Sequence, residues 1–160
     1  MSMDHRTPFT NADEKRTLCD FLDYLRDAIV RKASGLDAAA VRRSTVPSGT
    51  SLLVLVKHLT FVEIAWVQWS FAGLDVTLPS GDLEPGDTTE SVIDAYRAAT
   101  RRNNELLDTF DDLDQRCERK ATAWEPMSLR WVLVHMIEET GRHAGHADII
   151  REQIDGSTGR

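Results

Sequence analysis

The sequence predicts an all-α protein, a four-helix bundle formed by one domain over residues 1–160. Apolar residues recur every three or four positions in four long stretches, and no stretch shows the sustained alternation that is typical of β-strands. Segments that contain Pro and Gly separate the stretches. A chain of 160 residues is most economically one domain, and it is long enough to bury a hydrophobic core.

The first two helices are each followed by a glycine. Helix one is predicted over residues 11–34 and helix two over residues 51–72, with Gly35 and Gly73 directly after them. Glycine commonly ends a helix at this position because it adopts the left-handed backbone conformation without strain. The apolar stripe of helix one comprises Leu18, Phe21, Leu22, Leu25 and Ile29.

The last two helices begin at recognisable start signals. Helix three is predicted over residues 87–110, where Asp87 and Glu90 have the spacing of a capping box. Helix four is predicted over residues 128–154, after Pro126 and before a run of turn-forming residues. The apolar stripe of helix three comprises Val92, Tyr96, Ala99, Leu106 and Phe110.

The connection between helices two and three, residues 73–86, is long enough to cross the bundle. An up-down-down-up order is therefore permitted as well as a simple meander. We expect this connection and residues 47–51 to border a binding pocket. The tryptophans are interpreted as core or pocket wall: Trp66, Trp69, Trp124 and Trp131.

Charge and targeting signals narrow the function classes. The formal net charge of -7 argues against binding to a nucleic-acid backbone, which requires clustered Lys and Arg. The first residues lack the apolar segment of a secretory signal, and Cys19 and Cys117 have neither metal nor redox spacing. We therefore expect a cytoplasmic protein with reduced thiols.

Residues 52–74 are apolar enough to be mistaken for a membrane span. They include Lys57, His58 and Glu63, and polar groups at these positions would be costly in lipid. We therefore interpret this segment as a buried helix of the bundle and expect no membrane partner.

Helix four carries three of the five histidines. One face of this helix comprises Val132, His135, Glu139, His143, His146 and Ile150. A neighbouring stripe is an equally regular candidate for the buried face: Leu129, Leu133, Ile137 and Ala144. His58 lies in the most apolar stretch of helix two, so we expect it to be buried. Buried ionisable groups need a partner or a metal, and this favours the face of helix four that carries the histidines as the buried one.

Helix geometry limits which of these residues can act together. Residues four apart differ by about 6 Å along the axis, so their side chains can converge on one ion. His135 and His143 are separated by about 12 Å of rise, which is too far for one ion. The pairs left open are His135 with Glu139, Glu139 with His143, and His143 with His146. If helices two and four are antiparallel, the depth of His58 favours a pair that includes His143.

The donor set predicts a divalent ion held for catalysis. Two imidazoles, one carboxylate and an open position suit Zn²⁺, with Ni, Fe and Mn as alternatives. The ion would lower the pKa of a water or thiol in the open position, so no side chain is assigned as a catalytic group.

The sequence around these residues resembles the actinobacterial branch of the DinB-like superfamily. The resemblance is carried by Leu129–Asp148, continuing to Glu152, and by Leu55–Leu59 followed by Glu63 and Trp66. It implies an up-down-down-up four-helix bundle with a divalent ion. One ligand would come from helix two, and two would come from helix four at positions i and i+4.

The resemblance assigns a metal site residue by residue. His58 matches the ligand from helix two, and His143 matches the last ligand. Glu139 lies where many relatives have histidine, but it is similar to the glutamate of the maleylpyruvate isomerase relatives. His146 aligns near a position that is often glutamine, so we interpret it as a neighbour of the ligands or as part of a cavity wall.

The resemblance implies a metal-dependent S-transferase in which a low-molecular-weight thiol attacks a small electrophile as the thiolate. Relatives use mycothiol, bacillithiol or glutathione, and the resemblance to the actinobacterial branch implies mycothiol. The excess of Arg over Lys is consistent with this, since it is typical of high-GC bacteria, which include the actinobacteria that make mycothiol. The alternatives are a non-catalytic metal-binding or stress-response bundle and a mycothiol-dependent isomerase. A homodimer is left open.

Overall fold

The computed structural model describes residues 7–8, 11–121 and 125–158. Within these ranges the chain is helical, and its one β-type pairing is an isolated antiparallel bridge between Arg116 and Ser128. The predicted all-α class is therefore confirmed for the described part of the chain. The initial residues used to judge targeting, and Trp124, lie outside the described residues.

Four long helices and one short helix follow one another along the chain. They are α1 (Glu14–Ala33), α2 (Ala38–Arg42), α3 (Leu52–Glu63), which continues as a π-helical segment (Ile64–Phe71), α4 (Thr89–Leu107) and α5 (Leu129–Asp155). The four predicted helices are all present, with ends shifted by up to three residues. Helix α2 has no counterpart among the helices predicted from the sequence; the Asp37 carboxylate caps its start by accepting hydrogen bonds from the backbone N–H groups of Ala39 and Ala40.

Polar side chains define where the long helices begin. Asp13, Ser51, Thr88 and Ser128 each accept a hydrogen bond from the backbone N–H three residues later. The capping box of α4 is therefore formed by Thr88 with Ser91, one residue later than predicted. Asp87 instead accepts hydrogen bonds from Lys57 Nζ and from the backbone N–H of Glu84.

The second predicted helix is not a uniform α-helix. It changes to π-helical geometry at Ile64, one residue after the buried Glu63. Asn103 Nδ2 donates to the Glu63 carbonyl oxygen at 3.0 Å, so a side chain enters the backbone hydrogen-bond ladder where the geometry changes. Hydrophobic spacing along one helix contains no signal of this long-range contact.

The long helices pack chiefly in two pairs, α1 with α5 and α3 with α4, and α3 also contacts α5. Two clusters of buried apolar side chains fill the interior, one around Leu53, Leu59 and Tyr96 and the other around Phe71 and Met136. The contact between α3 and α5 is the one that positions the candidate site. The up-down-down-up order and the single-domain organisation stay predictions.

A buried polar network links three of the helices. The Arg26 guanidinium donates to both carboxylate oxygens of Glu63, from Nε at 2.7 Å and from Nη2 at 2.6 Å. Asn103 Nδ2 donates to Glu63 Oε2 at 2.6 Å, and Gln68 Nε2 donates to Asn103 Oδ1 at 2.9 Å. These hydrogen bonds pair the buried polar groups of the network with one another.

The segment Leu52–Phe71 is long and apolar enough, by length and composition alone, to cross a membrane. In the fold, 61% of its most apolar window is buried inside the protein. The core helix of a globular protein has the same length and composition, and the pairing of Glu63 with Arg26 is consistent with that role.

Candidate metal centre

Three side chains meet where α3 contacts α5. Glu139 Oε1 lies 3.1 Å from His58 Nε2 and 3.2 Å from His143 Nε2. The two imidazole rings have centroids 5.0 Å apart and an edge-on orientation. The structure therefore brings together the three residues that the resemblance implied, with one carboxylate oxygen facing both rings.

The local sequence explains this arrangement. Glu139 and His143 are four residues apart on α5, so they occupy the same face on successive turns. His58 is in the first half of α3, whose start is set by the Ser51 cap. Of the three pairs left open on the fourth predicted helix, Glu139 with His143 is the pair that contacts His58.

The site is partly open to solvent. The side chains of Glu139 and His143 are 15% and 17% exposed, whereas that of His58 is 37% exposed. The predicted connection after α3 passes beside His58, since a Cβ added at Gly81 would lie 3.8 Å from His58 Nδ1. The carboxylate is therefore shielded, and access from solvent is on the side of His58.

The environment sets the protonation states of two of these groups. Burial raises the pKa of the Glu139 carboxyl, but hydrogen bonds and positive charge from His58 and His143 outweigh it, so the pKa lies below its usual value. Burial lowers the pKa of His143, and the nearby Glu139 carboxylate offsets this only in part. Near neutral pH the pair is a carboxylate and a neutral imidazole, which are the forms that bind metal ions.

His146 contacts the outer side of this cluster. Its Nδ1 lies 3.4 Å from His143 Nδ1, while His143 Nε2 faces Glu139. One of the two Nδ1 atoms carries the hydrogen of this bond, so His146 influences the tautomer and orientation of the His143 ring. His146 also lines the neighbouring cavity described below.

The geometry fits a divalent ion. Tetrahedral bonds of about 2.0–2.1 Å separate ligand atoms by roughly 3.3 Å. The candidate ligand atoms of His58, Glu139 and His143 all lie within 4.8 Å of one another. A ligand histidine commonly makes a hydrogen bond through its second nitrogen, and His143 does so to His146.

His135 lies outside this cluster and belongs to an aromatic group. Its ring stacks on Trp131 with centroids 5.0 Å apart and an interplanar angle of 21°. Trp66 packs edge-on against His135 at 4.7 Å. The ring of His135 thus packs against Trp66 and Trp131, whereas Glu139 Oε1 faces His58 and His143, which disfavours the alternative in which His135 pairs with Glu139.

Two arginines of α5 near the cluster or the start of the helix have acidic partners. Arg130 pairs with Glu14 and Asp114, and Arg142 pairs with Glu138. Arg142 Nη1 also lies 3.7 Å from Glu139 Oε2.

The two cysteines are poorly suited to nucleophilic catalysis. Burial raises the pKa of both the Cys19 and the Cys117 thiol, which is the opposite of what a reactive thiolate requires.

A cavity of about 300 Å³ adjoins the cluster through His146. It is bordered by residues of the segment before α3 and of the last turns of α5: Val46, Ser48, Thr50, His146, Ile149 and Ile150. Ser48 and Thr50 belong to residues 47–51, for which the sequence predicts a pocket border without indicating which side chains line it. Ile149 could have been found, because it lies three residues after His146 on a neighbouring part of the same helix face.

The two helical glycines beside the cluster have different surroundings. A Cβ added at Gly141 would meet Leu25 of α1 at 3.5 Å, so this position allows a close helix approach. A Cβ added at Gly145 would have nothing within 4 Å.

The chain is similar to known proteins at two levels. A family model described as mycothiol-S-transferase matches residues 17–156. The crystal structure of a conserved protein from Enterococcus faecalis superposes with a TM-score of 0.64 at 17% identity, over 91% of this chain and 99% of that chain. No curated protein sequence matches the chain significantly.

The structural neighbour shows the fold alone, because its sequence identity is low. The family match spans most of the chain, including both α3 with His58 and α5 with Glu139 and His143. It confirms the DinB-like resemblance drawn from these segments. On this evidence the chain belongs to the mycothiol-S-transferase family, one of the DinB-like families.

Proposed function

We propose that this protein is a divalent-metal-dependent thiol S-transferase that joins mycothiol to a small electrophile. The observation that carries the proposal is the convergence of His58 Nε2 and His143 Nε2 on one oxygen of Glu139, 3.1 and 3.2 Å away. Family membership supports mycothiol as the thiol. The proposal includes Zn²⁺ as the ion, a cytoplasmic location and an up-down-down-up bundle.

The three side chains would hold the ion, and their environment prepares them for it. Glu139 is ionised and His143 is neutral near pH 7, so neither must lose a proton in order to bind. His146 holds the His143 ring through their Nδ1 atoms. When bound, the ion supplies a Lewis acid that favours the thiolate form of a thiol at neutral pH.

The partial exposure of His58 leaves room for both substrates at the cluster. In the reaction the thiolate sulfur forms a bond to an electrophilic carbon of the second substrate. The bond from that carbon to the leaving group breaks, and the leaving group departs with the electron pair. The thiol proton goes to solvent, so the transfer requires no oxidant or reductant.

Metal content tests the ligand assignment. Protein purified without added metal is analysed by inductively coupled plasma mass spectrometry as wild type, His58→Ala, His143→Ala and His135→Phe. His135→Phe is the matched control, because it removes an imidazole of the same helix and keeps a ring against Trp66 and Trp131. We expect about one ion per chain in the wild type and in the control, with at least a tenfold loss in the other two. Unchanged content in both alanine variants would refute the site.

Turnover tests the reaction class. Conjugation of mycothiol to a fluorogenic haloalkyl electrophile is measured with and without chelator. Turnover that is lost on chelation and restored by Zn²⁺ supports the transferase. A fully loaded protein without turnover across thiols and electrophiles supports a non-catalytic metal-binding bundle. Product formation without net consumption of the thiol supports an isomerase.

A further inference from the structure

We infer that the apolar cavity beside His146 binds the apolar part of the electrophile, so that the preferred second substrates are small molecules with a short alkyl or aryl group. The inference rests on the proposed function and assigns one side of that site. It is carried by the volume of the cavity, the chemistry of its wall and its contact with the cluster.

The cavity is large enough for such a group. Its volume of about 300 Å³ lies at the lower end of the range for small-molecule sites. Two separate parts of the chain form it, the segment that leads into α3 and the last turns of α5. The Ser51 side chain caps the start of α3, and Gly156 caps the end of α5.

The wall of the cavity exposes apolar surface. Val46 and Ile149 are 38% and 57% exposed, and they are two of the five large apolar side chains that the described part of the chain leaves exposed. Ile150 is 3% exposed and connects the cavity with the buried core. An apolar group that covers Val46 and Ile149 would remove their surface from water, which favours binding.

The cavity adjoins the cluster on the Nδ1 side of the His143 ring. His146 is both a wall residue and a hydrogen-bond partner of His143, with 3.4 Å between the Nδ1 atoms. A ligand in the cavity is therefore separated from the cluster by one imidazole. The reactive carbon of a ligand whose apolar end lies in the cavity can point towards the cluster.

The apolar wall of the cavity disfavours the binding of mycothiol, the other proposed substrate. Mycothiol carries sugar and inositol hydroxyls, and their burial without hydrogen-bond partners is unfavourable. The hydroxyls of Ser48 and Thr50 form a hydrogen bond to each other at 2.9 Å, so fewer of their donors and acceptors remain for the hydroxyls of a ligand. The cavity is thus matched to the electrophile rather than to the hydrophilic thiol.

The first experiment measures substrate preference. kcat/KM is determined at saturating mycothiol for a series of primary alkyl bromides from ethyl to hexyl. In the wild type we expect an increase of up to about fourfold per methylene, until the cavity is filled. Ile149→Asn and Val46→Asn should flatten the series and leave the KM for mycothiol unchanged. Val134→Asn is the matched control, because Val134 is 51% exposed on the same helix but does not line the cavity.

The second experiment does not depend on turnover. Methyl resonances of Val46, Ile149 and Ile150 are followed by NMR during titration of chelator-treated protein with 1-hexanol, which lacks a leaving group. Saturable shifts of these methyls, with Val134 unaffected, support the cavity even if the protein shows no transferase activity. That outcome would separate a failure of the proposed function from a failure of this inference.

Three results would overturn the inference. The first is the absence of methyl shifts up to the solubility limit of 1-hexanol, together with a flat alkyl series in the wild type. The second is a rise in the KM for mycothiol in Ile149→Asn, which would make the cavity the site of the thiol. The third is a set of shifts at these methyls that depends on protein concentration without ligand, which would assign the surface to a second copy of the chain.

Discussion

The substitution Arg26→Ala tests the buried network that crosses the interior. Arg26 and Glu63 are 4% and 0% exposed, and two hydrogen bonds of 2.7 and 2.6 Å join them. Burial opposes the charge of the guanidinium, but the Glu63 carboxylate outweighs it, so the pKa of Arg26 lies above its usual value. The guanidinium is therefore charged at every accessible pH, and its removal leaves a buried carboxylate.

The expected loss of stability depends on which hydrogen bonds Glu63 retains after the substitution. After the substitution its carboxylate keeps one side-chain donor of the network, Asn103 Nδ2 at 2.6 Å. Arg26 Nη1 also donates to Asp23 and Asn104, both at 2.8 Å, and these bonds are lost as well. Removing one partner of a buried pair costs about 3–5 kcal/mol. For a domain of this size that corresponds to a fall in Tm of roughly 6–20 °C.

Urea unfolding followed by circular dichroism measures the effect. Arg16→Ala is the matched control, because Arg16 pairs with Asp20 at 2.8 Å on the same helix but is 66% exposed. We expect it to lower the free energy of unfolding by less than about 0.5 kcal/mol. The double variant Arg26→Met with Glu63→Leu should recover much of the loss, since it leaves no unpaired charge. The reasoning is refuted if Arg26→Ala costs no more than Arg16→Ala.

Two further predictions concern backbone conformation and pH. Gly73→Ala should destabilise the protein by more than about 1 kcal/mol, because Gly73 has φ +65° and the added Cβ would lie 2.8 Å from Glu118 Cβ. Gly145→Ala should stabilise it by about 0.5–1 kcal/mol, because the site is open and helical, and chemical unfolding of both variants checks the opposite signs. The hydrogen bond from Arg151 lowers the pKa of Asp155 from 3.8 to about 2, so its stabilising effect is present above pH 3.8 and is lost as the pH falls towards 2. Carboxyl NMR titration should give this midpoint in the wild type and a higher one in Arg151→Ala, which keeps the hydrogen bond from Ser157, and an unchanged midpoint in the variant would contradict the assignment.

Local features of the sequence predicted the helices well. The apolar stripes and the breakers located all four long helices, because helix periodicity and capping depend on residues that are close in sequence. The same information missed α2 (Ala38–Arg42) and the π-helical segment Ile64–Phe71. α2 is too short for its periodicity to be visible, and the π segment coincides with a contact from Asn103, forty residues away.

The candidate site was predicted in part. The spacing of Glu139 and His143 showed that they share a face of α5, while the choice among three pairs needed the position of His58. Only the packing of α3 on α5 shows that one oxygen of Glu139 faces both imidazoles. His146 and His135 could not be told apart by spacing, and contacts in the fold place His146 against His143 and His135 against two tryptophans.

By itself the sequence determined the helical class, the approximate helix bounds and the shared helix face of Glu139 and His143, because these depend on neighbours within a few positions. The tertiary structure decided which ionisable groups meet, since a pair such as Arg26 with Glu63, 37 residues apart, exists only once helices pack. It also decided where apolar surface stays uncovered, because Val46 and Ile149 form one cavity only after the segment before α3 is folded against α5. Burial and contact over long sequence distances are properties of the packed chain, and no pattern along one helix contains them.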